Sequence, residues 1–174
     1  MLAYVFVALA IAVRFMPHPW TFTPVTAALL FFGARGPRRF IWAPLAMLAA
    51  SDVVLTKWFW HYAFTWDQLV VWAWYAAVLM LGTRLRENSK PLLILASALG
   101  SSVSFYLLSN FAVWASFNMY PKTLAGLITC YTLAVPFFRP ALIGDLLFTA
   151  AMFAVPVLMS SFAEKASSGP AAAA

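Results

Sequence analysis

Acidic side chains are scarce in this chain. Its 174 residues hold 5 Asp and Glu, and charged residues of both signs make up 9%. A soluble domain carries roughly 25% charged residues, so an ordinary water-facing surface is excluded. Cysteine is nearly missing as well. Cys130 stands alone, which excludes a disulfide within the chain, and its apolar surroundings read as a small core residue. No Gly-x-Ser-x-Gly, His-Glu-x-x-His or glycine-rich phosphate loop occurs. Nothing therefore points to acyl-transfer, zinc-protease or nucleotide-hydrolysing chemistry. We expect neither an enzyme nor a resident cofactor or metal.

What is present is largely apolar. Hydrophobic residues reach 64% and aromatic residues 17%, and mean hydropathy is +0.87. These values describe an integral membrane protein. Open strands cannot cross lipid, because their backbone groups would be left without partners, so the fold class is all-α, a polytopic helix bundle. Apolar segments run over 2–15, 23–34, 40–56, 67–83, 91–115, 122–137 and 141–162. Short joints link them, which predicts one transmembrane domain over 1–163 and a disordered, small and polar tail over 164–174. Segment 122–137 is short and bounded by Pro121 and Pro136. The reading we favour is six transmembrane helices with 122–137 as a re-entrant or interfacial helix; the alternative is seven crossings. The start, 1–13, lacks the basic residues of a signal peptide.

Net charge is +6, and its distribution is informative. Two joints are densely basic: Arg35-Gly36-Pro37-Arg38-Arg39, and 84–90 with Arg84, Arg86 and Lys90. The positive-inside rule puts both in the cytoplasm, and the N-terminus with them. There is no basic stripe with interleaved stacking aromatics, so nucleic acid is not an expected partner. The expected partners are the lipid bilayer and a small-molecule ligand.

The opposite end then faces outward and collects the polar and aromatic residues. A membrane helix carries such groups at a cost, so they mark a candidate site. The candidate ligand-binding residues are Trp20, Thr21, Thr23, Ser51, Asp52, Trp66, Asp67, Gln68, Ser109, Asn110, Trp114, Tyr120 and Asp145. Asp52 could equally be a helix-end carboxylate paired with Lys57, and Asp145 a first-turn acid or a partner of Arg139. Asp67 suits the N-terminus of segment 67–83. Ser109 and Asn110 could bind a ligand or serve as interhelical glue. Trp66, Trp72, Trp114 and Tyr120 offer flat walls to a ring-bearing ligand, or anchor the interface. His18 and His61 with Asp52 and Asp67 assemble the residue types of a metal site, without a supporting spacing. Ala8 and Ala12 form a small-xxx-small pair that permits close contact with a partner helix.

These outer motifs carry a resemblance. Residues 17–25 (Pro17-His18-Pro19-Trp20 onward), Ser51-Asp52, Ser109-Asn110-Phe111-Ala112-Val113-Trp114, Tyr120-Pro121-Lys122-Thr123 and Gly144-Asp145-Leu146-Leu147-Phe148 resemble an uncharacterised family of small bacterial membrane proteins. More distantly, the chain resembles the substrate-binding S components of energy-coupling factor vitamin transporters, in particular the cobalamin-type branch. The residues concerned are Trp20-Thr21-Phe22-Thr23-Pro24-Val25-Thr26-Ala27, Gly36-Pro37-Arg38, Ser51-Asp52 and Phe64-Thr65-Trp66-Asp67-Gln68. That resemblance implies the bacterial inner membrane, six helices with both termini inside, and an outward ligand pocket for a vitamin-like metabolite. It also implies that Ala8 and Ala12 dock a transmembrane coupling subunit, which works with separate ATPases. Thr21 and Asp52 stand where the family carries Asn, so the ligand is expected to differ. Two alternatives remain from the residues alone: a non-transport structural or assembly protein, and an intramembrane metal carrier or enzyme using Asp52, His61 and Asp67.

Overall fold

The structure is a computed structural model that describes residues 1–16 and 21–167, with side chains through residue 165. Among the described residues the chain forms six α-helices: α1 (Leu2–Arg14), α2 (Val25–Arg35), α3 (Ala43–Val54), α4 (Asp67–Arg84), α5 (Pro91–Ser116) and α6 (Leu124–Ser167). A 3-10 turn (Arg38–Phe40) precedes α3, and a π-helical turn (Leu55–Phe59) extends it. Successive helices alternate in direction. Tyr4 and Phe6 of α1 meet Phe32 and Phe31 of α2 edge to face. Trp74 of α4 bonds Ser104 of α5, and Tyr106 of α5 packs on Phe138 of α6.

The core is α2. All ten residues from Val25 to Ala34 are buried, a pattern that follows from its composition. Its small residues Ala27, Ala28, Gly33 and Ala34 leave room for neighbouring helices to close around it on every side. At 11 residues it is about 16 Å long, and α1, α4, α5 and α6 surround it. Small residues set the closest approach, as expected where lipid tails leave packing rather than water exclusion to hold helices together. Gly33 of α2 and Gly82 of α4 face each other directly. At the end of α2, Arg86 donates from Nε to the Gly33 carbonyl (2.6 Å) and from Nη2 to the Gly36 carbonyl (2.7 Å). One guanidinium thus satisfies carbonyls that a helix terminus leaves open.

Three helical stretches are long and apolar enough to cross a membrane: Arg38–Phe59, Pro91–Ser116 and Leu124–Lys165. Only 28% of the apolar window of Pro91–Ser116 is buried, so most of its apolar surface faces out of the bundle. Leu2–Arg14 and Val25–Arg35 are shorter apolar helices.

The structure differs from the sequence reading in the last third. Segments 122–137 and 141–162 run together as α6, so 122–137 is neither a separate crossing nor a separate re-entrant helix. Its 44 residues contain Pro136, Pro140 and Pro156, and proline inside a helix removes a donor and crowds the preceding turn. The helix continues because α5 lies against it antiparallel, from Asn110 opposite Cys130 to Ser102 opposite Asp145. Neighbouring groups also serve the backbone, as they do in membrane helices that keep proline. Thr21 donates its hydroxyl to the Phe137 carbonyl (2.6 Å), between two of the prolines. α6 extends past the expected domain end at 163, and the tail from 168 lies outside the described residues.

A tight hairpin joins α5 to α6. The Thr123 hydroxyl accepts from the Gly126 amide (3.2 Å) as a helix N-cap. Lys122 donates to the carbonyls of Trp114 and Phe117 (2.7 Å for Phe117), closing the end of α5.

Candidate functional site

At the end of the bundle away from the basic joints, α1, α3 and α4 meet around one carboxylate. Asp52 is 4% exposed and forms an ion pair with Arg14, the last residue of α1. Arg14 Nη1 also donates to Ser51 Oγ (2.8 Å), and Ser51 donates to the Leu48 carbonyl (2.7 Å). The second carboxylate oxygen of Asp52 accepts from Trp72 Nε1 of α4 (2.9 Å). Tyr75, one turn further along α4 and buried, lies within electrostatic reach of both charges. Each Asp52 oxygen thus has a partner, as a buried carboxylate requires.

Local sequence explains why these groups converge. Ser51 and Asp52 occupy the last turn of α3 before the wider π turn, whose Trp60 amide reaches back to the Leu55 carbonyl (2.9 Å). Such turns recur at functional sites. His61 then takes a positive φ of 54°, which reverses the chain so that α4 starts at Asp67 beside α3. Around the site stand exposed rings: Trp58, Phe59, Trp60, Tyr62, Phe64 and Trp66. They have the composition of an interfacial aromatic belt. Phe64 lies on Trp72 with ring centroids 5.5 Å apart, and Phe15 meets Phe59 edge to face.

A second buried carboxylate lies deeper in the bundle. Asp145 of α6 accepts from Ser102 of α5 (2.5 Å), and the Thr26 hydroxyl of α2 faces the same group. Neither Lys57 nor Arg139 takes the role considered for it. Asp52 pairs with Arg14, and Asp145 is held by hydroxyls.

The other sequence candidates are not gathered with Asp52. Ser109 and Asn110 bond back to the Phe105 and Tyr106 carbonyls of their own helix (2.6 and 2.8 Å). Trp114 donates to the Pro121 carbonyl within the α5–α6 hairpin (2.9 Å), and half-buried Tyr120 lies in that connection. Thr21 serves Phe137 of α6, and Thr23 donates its amide to the Thr21 carbonyl. Asp67 opens α4, where its charge complements the helix dipole; its Oδ1 is buried without a hydrogen-bond partner. Gln68 follows it, half-buried, and Trp66 precedes it, exposed. Trp20 and His18 lie outside the described residues. Ala8 and Ala12 are exposed on the outer face of α1, while Ala3, Phe6, Val7 and Ala10 turn inward. No group of three or more His, Cys, Asp or Glu side chains comes together among the described residues.

Sequence reasoning missed Arg14 as the partner of Asp52. A signal was available: Arg14 is an isolated cation at the end of an apolar helix, on the side away from both basic joints. Tyr75 had no comparable signal, since it sits in an apolar run; Thr26 lay within the motif at 20–27 and Ser102 within Ser101-Ser102-Val103-Ser104, but neither pattern pointed to Asp145.

The fold and these buried polar clusters define a polytopic, all-helical protein of membrane type. The family described as "Family of unknown function (DUF6580)" matches residues 1–167, and the chain belongs to that family. No curated protein and no solved structure matches the chain.

Proposed function

We propose that this protein binds a small polar or ring-bearing metabolite within the membrane and serves its uptake, in the manner of an S component. The observation that carries the reading is the Arg14–Asp52 pair, held between three helices under a belt of aromatic rings. A buried ion pair adds little net stability over a well-packed apolar substitute, because both charges lose their water. Ionisable groups inside membrane helices are by default functional. Here the pair provides one cation and one carboxylate, each able to exchange its partner for a charged group on a ligand. Trp72 and Phe64 provide ring faces beside them.

In this reading the protein sits in the bacterial inner membrane with six crossings. Its basic joints and both termini are cytoplasmic, and the Asp52 end opens outward. The ligand is captured at that end and released inside as the bundle reorients. The exposed Ala8 and Ala12 face of α1 contacts a transmembrane coupling subunit, and ATP hydrolysis belongs to its partner ATPases.

The test is mass spectrometry of small molecules released from gently purified, folded protein, compared with Asp52→Asn and Trp72→Phe. A stoichiometric metabolite that is lost in both variants supports the proposal. Lipid alone from folded wild-type protein grown in rich medium, or a metabolite retained by both variants, overturns it.

A further inference from the structure

The opposite end of the bundle carries a different feature. The two basic joints, 49 positions apart in the chain at Arg35 and Arg84, close on each other through Arg86 and the carbonyls of Gly33 and Gly36. Arg35 reaches Ser89 across the same seam. Between them lies a cavity of about 370 Å³, lined by Arg38, Ile41, Thr83, Arg84, Arg86 and Glu87. Its lining brings three guanidiniums against one carboxylate. None of the three arginines is within ion-pair distance of a carboxylate among the described residues. Glu87 lines the cavity without an ion-pair contact to any of the three.

Like charges turned toward one cavity repel. Burial first, and the Arg38 charge after it, pushes the Arg86 guanidinium below its ordinary value. Arg86 cannot swing away, because both of its hydrogen bonds hold the end of α2. Basic residues that merely set membrane orientation need no common cavity and relax best when spread through solvent. A fixed cation with two further arginines around one open volume is instead an arrangement that suits an anion.

We infer that this cavity binds a phosphate group, as the headgroup of an anionic lipid or as a soluble phosphate ester. Planar guanidiniums match phosphate oxygens two at a time. The cavity lies at the helix ends, where lipid headgroups are found, and basic pockets between membrane helices bind such headgroups. Arg86 supplies the fixed charge, Arg38 and Arg84 close on the phosphate from the exposed sides, and Glu87 limits affinity by repulsion. The site is independent of ligand capture at the Asp52 end.

The experiment titrates the full chain in detergent, by native mass spectrometry, with phosphatidylglycerol, phosphatidylcholine and glycerol 3-phosphate. Wild type is compared with Arg38→Gln, Arg84→Gln, their double variant and Glu87→Gln. Arg86 is left in place because it caps α2, and the substituted side chains are exposed or partly so, which keeps the melting temperature near that of wild type. The double variant should bind the anionic probe about tenfold more weakly, and Glu87→Gln should bind it more tightly. Preference for phosphatidylglycerol over glycerol 3-phosphate identifies a lipid site; the reverse identifies a soluble ester. Equal binding of phosphatidylglycerol and phosphatidylcholine with no binding of glycerol 3-phosphate, or affinities unchanged in the double variant, overturns the inference.

Discussion

Gly33 and Gly82 meet backbone to backbone where α2 runs along α4. A β-carbon on Gly33 would stand 2.8 Å from the Gly82 α-carbon, and one on Gly82 would stand 3.0 Å from the Gly33 α-carbon. Neither contact can be relieved by turning a side chain, so a methyl group there must push two helices apart. Gly33→Ala should cost about 1–3 kcal/mol, the usual cost of overpacking. Gly100 is the control. A β-carbon there meets nothing within 4 Å, and Gly100→Ala should gain up to about 1 kcal/mol from helix propensity. Denaturant unfolding in mixed micelles measures both.

Breaking the ion pair should be worse than removing it. Asp52→Ala leaves Arg14 at 13% exposure without its carboxylate and should cost about 3–5 kcal/mol. The double replacement Arg14→Met with Asp52→Leu removes both charges. It should cost less than Asp52→Ala, although the Trp72 indole N–H loses its acceptor. A double variant no more stable than Asp52→Ala would show that the carboxylate's hydrogen bonds, rather than its charge balance, hold the three helices.

Arg86 should matter for stability beyond its charge. Arg86→Met strips both donors from the Gly33 and Gly36 carbonyls, with an expected loss of about 2–3 kcal/mol. Arg86→Lys should recover only part, because an ammonium cannot reproduce the planar fork. Thermal unfolding followed by intrinsic tryptophan fluorescence would rank the three proteins.

The α5–α6 hairpin depends on its cap and on one glycine. Thr123→Ala should cost about 1 kcal/mol and Thr123→Ser little, since serine keeps the accepting oxygen. A β-carbon on Gly126 would stand 2.9 Å from the Pro121 carbonyl carbon, so Gly126→Ala should open the turn. The readout is hydrogen exchange over 116–127, with faster exchange expected there and no change in α2.

Alternating helix directions place both ends of the described chain with the basic joints. In a Cys130→Ala background, Glu87→Cys and Glu164→Cys should react with a membrane-impermeant thiol reagent from one side. Tyr62→Cys and Met119→Cys should react from the other. All four residues are exposed, so a 164 that labels with 62 would refute the described course of α6.

Most helix limits were legible in the chain. Segments 2–15, 67–83 and 91–115 became α1, α4 and α5 within a residue or two, because a long uncharged run in lipid has no alternative to a helix. Two things were not legible. Pro136 and Pro140 read as a break, yet α5 alongside and the Thr21 hydroxyl keep α6 continuous. The candidate polar residues read as one pocket, because sequence reveals which end of the bundle a residue occupies but not its neighbours around the circumference.

Composition and segment length by themselves determined an all-helical membrane bundle with basic joints at one end and aromatic, polar motifs at the other. Those properties depend on the sign and hydropathy of local stretches, which burial cannot alter. Tertiary structure alone decided that Asp52 answers to Arg14 and Trp72, that Asp145 answers to Ser102, and that two distant basic joints share one cavity. Each depends on the angular position of a side chain on one helix relative to another. That position is set by where small residues such as Gly33 and Gly82 let backbones close, and no run of residues records it.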